Sequence, residues 1–450
     1  MKRLLPFLLV FILSAALFKI DTQAAGPAIV SESAVLMDFD TGQILFEKNP
    51  HERLRPASIT KIMTVLLALE NAKPEDVVTM SHDAVFSIPR GSSHIALTTD
   101  EQVTVKDLCY AAMLPSANDA CNGIAEFVSG SMDAFVQRMN ERARELGATD
   151  TTFQNAHGLD EDEHLTTAYD MAMIARACMA REDFLEIVGT ASYQIEPTNK
   201  NSDTRYLHNK HDMLLNTSKH YDGVLGGKLG WTTLAQHTLV TFAERDGRRL
   251  IAVVMKSPKA NDKYTDTAAL FDYGFGGFST YRADAAGLIR GIPRSLLRGD
   301  LLRADITAAE DFTALIPNEA AAGDVHAVYY LPEELEEDGS TELRVTFTLE
   351  RAVETFPAEL GSMALRYSLP APELEEPSDT ALAPEPAAEP GWLAPARIAG
   401  FILLGIAAFA LIVFLALFAV RCHNIRKRRR LRARSRARRI EHDSKFDIRL

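Results

Sequence analysis

The order in which apolar periodicity changes between residues 27 and 280 limits the fold more than any other feature of this sequence. Ser33 to Leu45, turning at Asp40-Thr41-Gly42, reads as an opening β-hairpin. Helical spacing then takes over at Ile59 to Asn71, Val105 to Met113, Ala120 to Leu146 and Thr167 to Met179. Strand-like Thr238 to Ala243 and Leu250 to Met255 follow, and a helix around Asp266 to Tyr273 closes the region. Strands at both ends with helices between them predict an α+β fold, an antiparallel sheet flanked by helices, over residues 26–282.

Residues 283–369 have another texture. Val325 to Leu331, Glu342 to Leu349 and Met363 to Leu369 are short β-rich runs parted by acidic or glycine-containing turns, which predicts a small β-rich domain. From Pro370 to Gly391 there are six prolines and six acids with no lysine or arginine. Such a stretch cannot bury a core, and residues 370–397 are expected to extend as a stalk.

Two apolar segments bracket these regions. Residues 1–25 combine Lys2 and Arg3, an apolar run from Leu4 to Phe18 and small residues at Ala24 and Ala25, the layout of a secretory signal. An uncleaved anchor is the alternative, and against it stands a run shorter than the ~20 residues a bilayer needs. Ile398 to Val420 is 23 residues without a charge. At ~1.5 Å per residue it reaches ~35 Å, enough for a single transmembrane helix. The basic tail at 421–450 then belongs in the cytoplasm, and the sequence predicts a single-pass protein of the cell membrane with its folded part exported.

The formal charge of −13 conceals this division. Residues 421–450 carry 13 Lys and Arg against three Asp and Glu, the first 25 residues carry +2, and −25 is left for residues 26–420. So acidic a body argues against nucleic acid as a partner, and the tail reads as a topology signal that also meets anionic lipid. Cys109, Cys121 and Cys178 are too few for a disulfide framework and lack metal-ligand spacing. They are expected as small buried side chains, with a Cys109–Cys121 bridge left open. His208 and His211 with Asp212 lack a third ligand, so no metal site is expected there.

Three short segments carry chemistry. Pro56 to Thr64 places Ser58 at the mouth of an apolar helix and Lys61 one turn later on the same face. A serine hydroxyl needs a base to become a nucleophile, and a lysine with a depressed pKa can serve. The helix N-terminus supplies amides for a developing oxyanion. Leu114 to Ala120 offers Ser116 and Asn118 at a turn entering a helix. Tyr221 to Thr232 joins glycines, which admit close backbone approach, to Lys228 in a strand-like stretch. Taken singly, each also reads as an ordinary helix cap or glycine-rich turn.

In this order and spacing the three resemble the Ser-x-x-Lys, Ser-x-Asn and Lys-Thr-Gly signatures of the penicillin-binding-protein and serine β-lactamase superfamily. Asn155 to Asp160, Thr167 to Asp170 and Leu270 to Phe275 extend the resemblance to the low-molecular-weight D-alanyl-D-alanine carboxypeptidases. It implies a β-lactamase/transpeptidase-like fold, with a small β-rich domain following. It also implies an acyl-transfer site without metal or organic cofactor, peptidoglycan stem peptides as substrate, and β-lactams as inhibitors. On this resemblance Ser58 is the nucleophile, Lys61 the general base, Ser116 the proton relay to the leaving D-alanine, and Asn118 the group that holds Lys61 and the substrate amide. Lys228 supports Ser116 and attracts the terminal carboxylate, with Gly230, Trp231 and Lys263 in the substrate site. The amides of Ser58 and Trp231 form the oxyanion hole. His157, Gly158 and Asp160 are read as fixing a turn.

Two departures stand out. Leu229 occupies the place of the family's middle threonine, removing a hydroxyl that helps bind the substrate carboxylate. Lys263 stands where the family often has arginine, a point charge without a bidentate fork. Leu229 keeps alternatives open: a D,D-endopeptidase or β-lactamase of the same superfamily, or a catalytically impaired peptidoglycan-binding protein.

Overall fold

A strand buried along its whole length has to lie inside a sheet, and β1 (Ser33–Asp38) is such a strand. A tight turn returns it to β2 (Ile44–Lys48), with the Thr41 amide and hydroxyl both donating to Asp38 Oδ1 at 2.8 and 2.6 Å. Its other neighbour comes from far along the chain, where Ser33 pairs with Met255 and Asp38 with Leu250. The computed structural model describes residues 26–332, 334–336, 339–350, 356 and 358–370. All of them fall in one compact unit, Met1–Ala371. The expected signal segment, the stalk beyond Pro370, the apolar span and the basic tail lie outside the described residues. Among the described residues no helix is long and apolar enough to cross a membrane.

The helices fill the interval between the two halves of the sheet. α1 (Lys61–Asn71) is buried on every face from Lys61 to Ala68 and forms the centre of this layer. β3 (Val77–Thr79), α2 (His82–Phe86) and β4 (Gln102–Thr104) form a small ribbon with one helical turn. A capping box of Thr104 and Asp107 then starts α3 (Val105–Met113). The stretch from Ala120 to Leu146, expected as one helix, is two: α4 (Asn118–Ser129) and α5 (Met132–Glu145). Gly130 at φ +78° ends the first, and the Ser131 hydroxyl accepts the Ala134 amide to begin the second. α6 (Ala168–Met179), α7 (Glu182–Gly189) and the ribbon of β5 (Ser192–Ile195) with β6 (Arg205–His208) complete the layer.

β7 (Val224–Thr232), β8 (Gln236–Arg245) and β9 (Arg248–Ser257) return as an antiparallel meander, giving the order β2-β1-β9-β8-β7 with β7 at an edge. Alternate residues of the inner strands face opposite sides. Val35, Met37, Val253 and Met255 pack towards α1 and α6, whereas Leu36, Leu250 and Val254 pack towards α8 (Asp262–Gly276). The antiparallel sheet with helices on both faces matches the reading of the periodicity.

Beyond α8, β10 (Phe278–Ala283) leads through α9 (Ala285–Arg290) to β11 (Asp305–Ala308) and β12 (Phe312–Pro317), and β10 pairs with β12. β13 (Val325–Tyr330), β14 (Leu343–Leu349) and β15 (Glu359–Ser368) join β11 in the order β11-β15-β14-β13. The buried carboxamide of Gln43 ties the first hairpin to β12, donating to Leu315 O at 2.8 Å and accepting from Leu315 N at 2.7 Å. Cys109, Cys121 and Cys178 are free and buried, so the Cys109–Cys121 bridge left open above is not formed. Cys121 instead donates its thiol to Ala117 O at 3.2 Å, within its own helical turn.

One carboxylate pins the segment before β1. Asp266 of α8 is buried and accepts the Ser31 amide at 2.7 Å, the Ser31 hydroxyl at 2.5 Å and the Val30 amide at 3.2 Å. Asp266→Ala leaves these donors unsatisfied and is expected to lower the unfolding free energy by about 3 kcal/mol, read as a reduced urea midpoint. An unchanged midpoint would show that the segment contributes nothing to stability.

Candidate active site

Ser58 lies in a turn of 3-10 helix, Ala57–Thr60, and the α-helix begins only at Lys61. The nucleophile candidate therefore stands in the tighter turn ahead of the helix expected to carry it. Ala57 is held at φ +51°, a left-handed conformation that costs a residue with a Cβ about 1 kcal/mol. Two threonines hold the strained turn: Thr60 Oγ1 donates to Ala57 O and Thr238 Oγ1 to Pro56 O, both at 2.9 Å. His164 Nδ1 accepts the Gln154 amide at 2.9 Å, so its Nε2 carries the hydrogen and donates to Thr60 Oγ1 at 2.9 Å. Burial keeps this ring neutral, with its pKa down at about 3.

Lys61 is wholly buried. Its Nζ donates to Asn118 Oδ1 at 2.7 Å and to His157 O at 2.6 Å, and lies 3.0 Å from Ser58 Oγ. Burial pulls the amine down to about 8, partly opposed by the carboxylate of Asp119 and reinforced by the charge of Lys210. An uncharged amine has two N–H bonds and one lone pair. The amide oxygen of Asn118 and the carbonyl of His157 can only accept, so they take the two hydrogens and leave the lone pair for Ser58 Oγ.

The second segment supplies its groups from a strained turn. Ser116 has φ +70°, and its buried hydroxyl makes no hydrogen bond among the described residues. Ala117 N donates to Ala111 O at 2.9 Å and Asn118 N to Ser93 O at 2.8 Å, fixing the entrance to α4. Asp119, also buried, accepts the amides of Ile95 at 3.2 Å and Leu97 at 3.1 Å, so it laces the loop around Ser93 to the same helix end.

The third segment is the edge strand β7. A Cβ on Gly230 would sit 2.7 Å from Ser58 N and 2.5 Å from Thr238 Oγ1, so only glycine lets the strand lie against the nucleophile's amide. Trp231 follows with its side chain 58% exposed, and Thr232 Oγ1 then donates to Asp160 Oδ1 at 2.9 Å. Lys228 is buried and donates to Leu229 O at 2.9 Å. Its ammonium is thus on a backbone carbonyl rather than on the Ser116 hydroxyl it was expected to support. Burial holds its pKa well below the ordinary range, and the charges of Lys61 and Lys210 add to this. Leu229 packs on the apolar cluster that includes Leu239 and Tyr264, the ring under Lys263.

Ser58, Lys61, Asn118 and Gly230 are thus brought into contact, with Ser116 in the turn beside Asn118. Lys263 stands apart on α8, where its Nζ donates to Ala260 O at 2.8 Å and lies 4.3 Å from the centre of the Tyr264 ring. Burial and the neighbouring Lys219 bring its pKa to about 8. The carbonyl of His157 is a site group that residue types could not reveal, since His157-Gly158 reads as a turn and acts through its backbone. Lys210, which donates to Pro115 O at 2.9 Å, is another. Among the described residues no cluster of His, Cys, Asp or Glu could hold a metal. His208 is exposed, and the buried His211 lies 3.0 Å from Thr241 Oγ1.

The protein-family model described as D-alanyl-D-alanine carboxypeptidase matches residues 20–259, over half of the chain. The chain is 36% identical over 295 residues to D-alanyl-D-alanine carboxypeptidase DacF of Bacillus subtilis, covering 62% of this chain and 73% of that protein. It is 33% identical over 279 residues to D-alanyl-D-alanine carboxypeptidase DacC of Escherichia coli, covering 60% and 67%. Among solved structures, penicillin binding protein 5 from Haemophilus influenzae superposes with a TM-score of 0.61 at 26% identity, over 77% of this chain and 98% of that one. The D-alanyl-D-alanine carboxypeptidase of Mycobacterium tuberculosis gives 0.52 at 28% identity, over 57% and 94%.

The packing of β7 on Ser58 makes Gly230→Ala a direct probe of the site. The added methyl has to push the strand or the Ser58 turn aside, and acylation of Ser58 by a fluorescent penicillin is expected to slow about a hundredfold, with an unaltered circular dichroism spectrum. Labelling at the original rate would show that the contact does not position the nucleophile.

Proposed function

This chain belongs to the D-alanyl-D-alanine carboxypeptidase family, and we propose that it removes the terminal D-alanine from peptidoglycan stem peptides through an acyl-enzyme on Ser58. The observation that carries this reading is the bonding of Lys61, which leaves its lone pair directed at Ser58 Oγ. In the first step Lys61 takes the hydroxyl proton as Ser58 Oγ attacks the penultimate D-alanine carbonyl. The amides of Ser58 and Trp231 stabilise the negative charge on the carbonyl oxygen. The C–N bond then breaks, the Ser116 hydroxyl passes a proton to the departing amine, and Lys61 replenishes it. Asn118 holds Lys61 and the substrate amide, while Lys228 and Lys263 draw the terminal carboxylate. Water attacks the ester in the second step and frees Ser58. β-Lactams acylate the same hydroxyl because their strained amide presents the same carbonyl. No step calls for a metal or organic cofactor.

For the location we propose an exported catalytic part held at the cell membrane by Ile398–Val420, with the stalk as spacer and the basic tail inside. The charge of +10 over residues 421–450 and the 23 uncharged residues before it support this topology.

The state of Lys61 sets the pH dependence. A base must be uncharged, and below about 8 the uncharged fraction of this amine falls tenfold per pH unit. The rate constant for labelling by fluorescent penicillin is expected to climb with that slope towards pH 8 and level above it, with no labelling of Ser58→Ala. A flat profile between pH 6 and 9, or equal labelling of Ser58→Ala, would overturn the assignment. Leu229 gives a separate test. A lost hydrogen bond to a charged group costs ~1.5–3 kcal/mol. Leu229→Thr is therefore expected to raise kcat/KM on a D-Ala-D-Ala peptide by about ten- to a hundredfold, and an unchanged value would show that other groups already hold the carboxylate.

A further inference from the structure

The peptide group that joins Ala57 to Ser58 is gripped at both ends. A peptide bond is planar and trans, so the Ala57 carbonyl and the Ser58 amide point in opposite directions and turn together. On the carbonyl side, Thr60 Oγ1 donates to Ala57 O at 2.9 Å, and a Cβ on Gly158 would fall 1.9 Å from that oxygen. On the amide side lies the edge strand β7, where a Cβ on Gly230 would sit 2.7 Å from Ser58 N. Whatever fixes the carbonyl therefore aims the amide.

The hold on the carbonyl does not end at Thr60. A threonine hydroxyl has one hydrogen and can turn about its C–O bond. His164 settles which way that hydrogen points. Its Nδ1 accepts the Gln154 amide at 2.9 Å, which leaves the ring hydrogen on Nε2, and Nε2 donates to Thr60 Oγ1 at 2.9 Å. With its oxygen accepting from the imidazole, the Thr60 hydroxyl gives its own hydrogen to Ala57 O. Both side chains are buried, and burial keeps the ring uncharged with its pKa down at about 3. The direction of this chain of bonds is therefore the same throughout the range in which Lys61 titrates. Ala57 is strained at φ +51°, so the turn does not hold its shape unaided.

We propose that His164 and Thr60 are positioning residues for the oxyanion hole, aiming the Ser58 amide at the attacked carbonyl oxygen through the Ala57–Ser58 peptide group. The inference rests on the acyl-transfer reading above, in which that amide shares the negative charge with the amide of Trp231. Neither side chain need touch the substrate. The relay runs from the Gln154 amide to His164, from His164 to Thr60 and from Thr60 to Ala57 O, and its effect emerges at the Ser58 N–H on the far side of the same plane.

The test reads the oxyanion hole directly. Full-length protein is acylated with benzylpenicillin, and stopped-flow kinetics separate the dissociation constant of the first complex from the acylation rate constant. Infrared difference spectroscopy of the acyl-enzyme gives the stretching frequency of its ester carbonyl, which falls as the carbonyl oxygen is better hydrogen-bonded. Two replacements separate the relay from packing: His164→Gln keeps an N–H for Thr60, whereas His164→Asn keeps an acceptor for the Gln154 amide and presents nothing to Thr60. His164→Asn and Thr60→Val are each expected to lower the acylation rate constant about tenfold, with little change in the dissociation constant and the ester band moved to higher wavenumber. His164→Gln should keep most of the wild-type rate and the wild-type band. A slowed reaction with an unmoved band, or equal rates for the two His164 variants, overturns the assignment. If His164→Asn fails to fold, Thr60→Val, which exchanges the hydroxyl for a methyl, decides by the same two readouts. A wild type that penicillin does not acylate overturns the acyl-transfer reading and this inference with it, whereas an acylated wild type with unmoved variants overturns the inference alone.

Discussion

A lysine amine without access to water is the constraint on which the rest of this structure depends. Its charged form is disfavoured by burial, and each of its hydrogens must still find an acceptor. Lys61 meets the requirement with Asn118 at the entrance to α4 and the carbonyl of His157, and it turns its lone pair to Ser58 on its own turn, so that three separate stretches of chain meet at one amine. No one stretch can satisfy it, so the α1, α4 and His157 segments have to assemble together. The same demand produces the chemistry. A solvated lysine has almost no free base at neutral pH, whereas burial brings this one to about 8 and leaves about a tenth of it uncharged at pH 7.

Convergence to hydrogen-bonding distance leaves little room, and the chain makes room at glycine. Gly158 takes φ +89°, and a Cβ there would fall 1.9 Å from Ala57 O. The His157 segment can thus lie against the turn bearing Ser58 only without a side chain at that position. Gly230 does the same for β7 on the opposite side. The strain admitted at Ala57 and Ser116 is held by the surrounding bonds, since the Ala57 carbonyl is fixed by Thr60, itself bonded to the neutral His164. The pairing of β1 with β9 then closes the two ends of the domain around these contacts.

Those features differ in how far residue types reveal them. The spacing of Ser58 and Lys61 is a local property of one helical turn and could be read directly, as could Asn118 at a turn before an apolar helix. The sheet was legible because alternation and continuous apolar runs are also local. The His157 carbonyl was not, because a backbone group has no residue-type signature. The bonding of Lys228 to Leu229 O rather than to Ser116 depends on a side-chain course that no periodicity records. The break between α4 and α5 had its signal in Gly130-Ser131. The amphipathic spacing resumes after that pair almost in phase and hides the break.

Charge gives these observations a further consequence. Residues 26–420 carry a formal −25, yet the groups gathered at the site are cations. The charge of Lys210 disfavours a charge on Lys61 and on Lys228, Lys61 adds to the effect at Lys228, and the nearby carboxylate, Asp119, is engaged by backbone amides. On the reading proposed above, a substrate carboxylate drawn to Lys228 would offset the burial that disfavours charge there. With Leu229 supplying no hydroxyl, that attraction rests on the lysines.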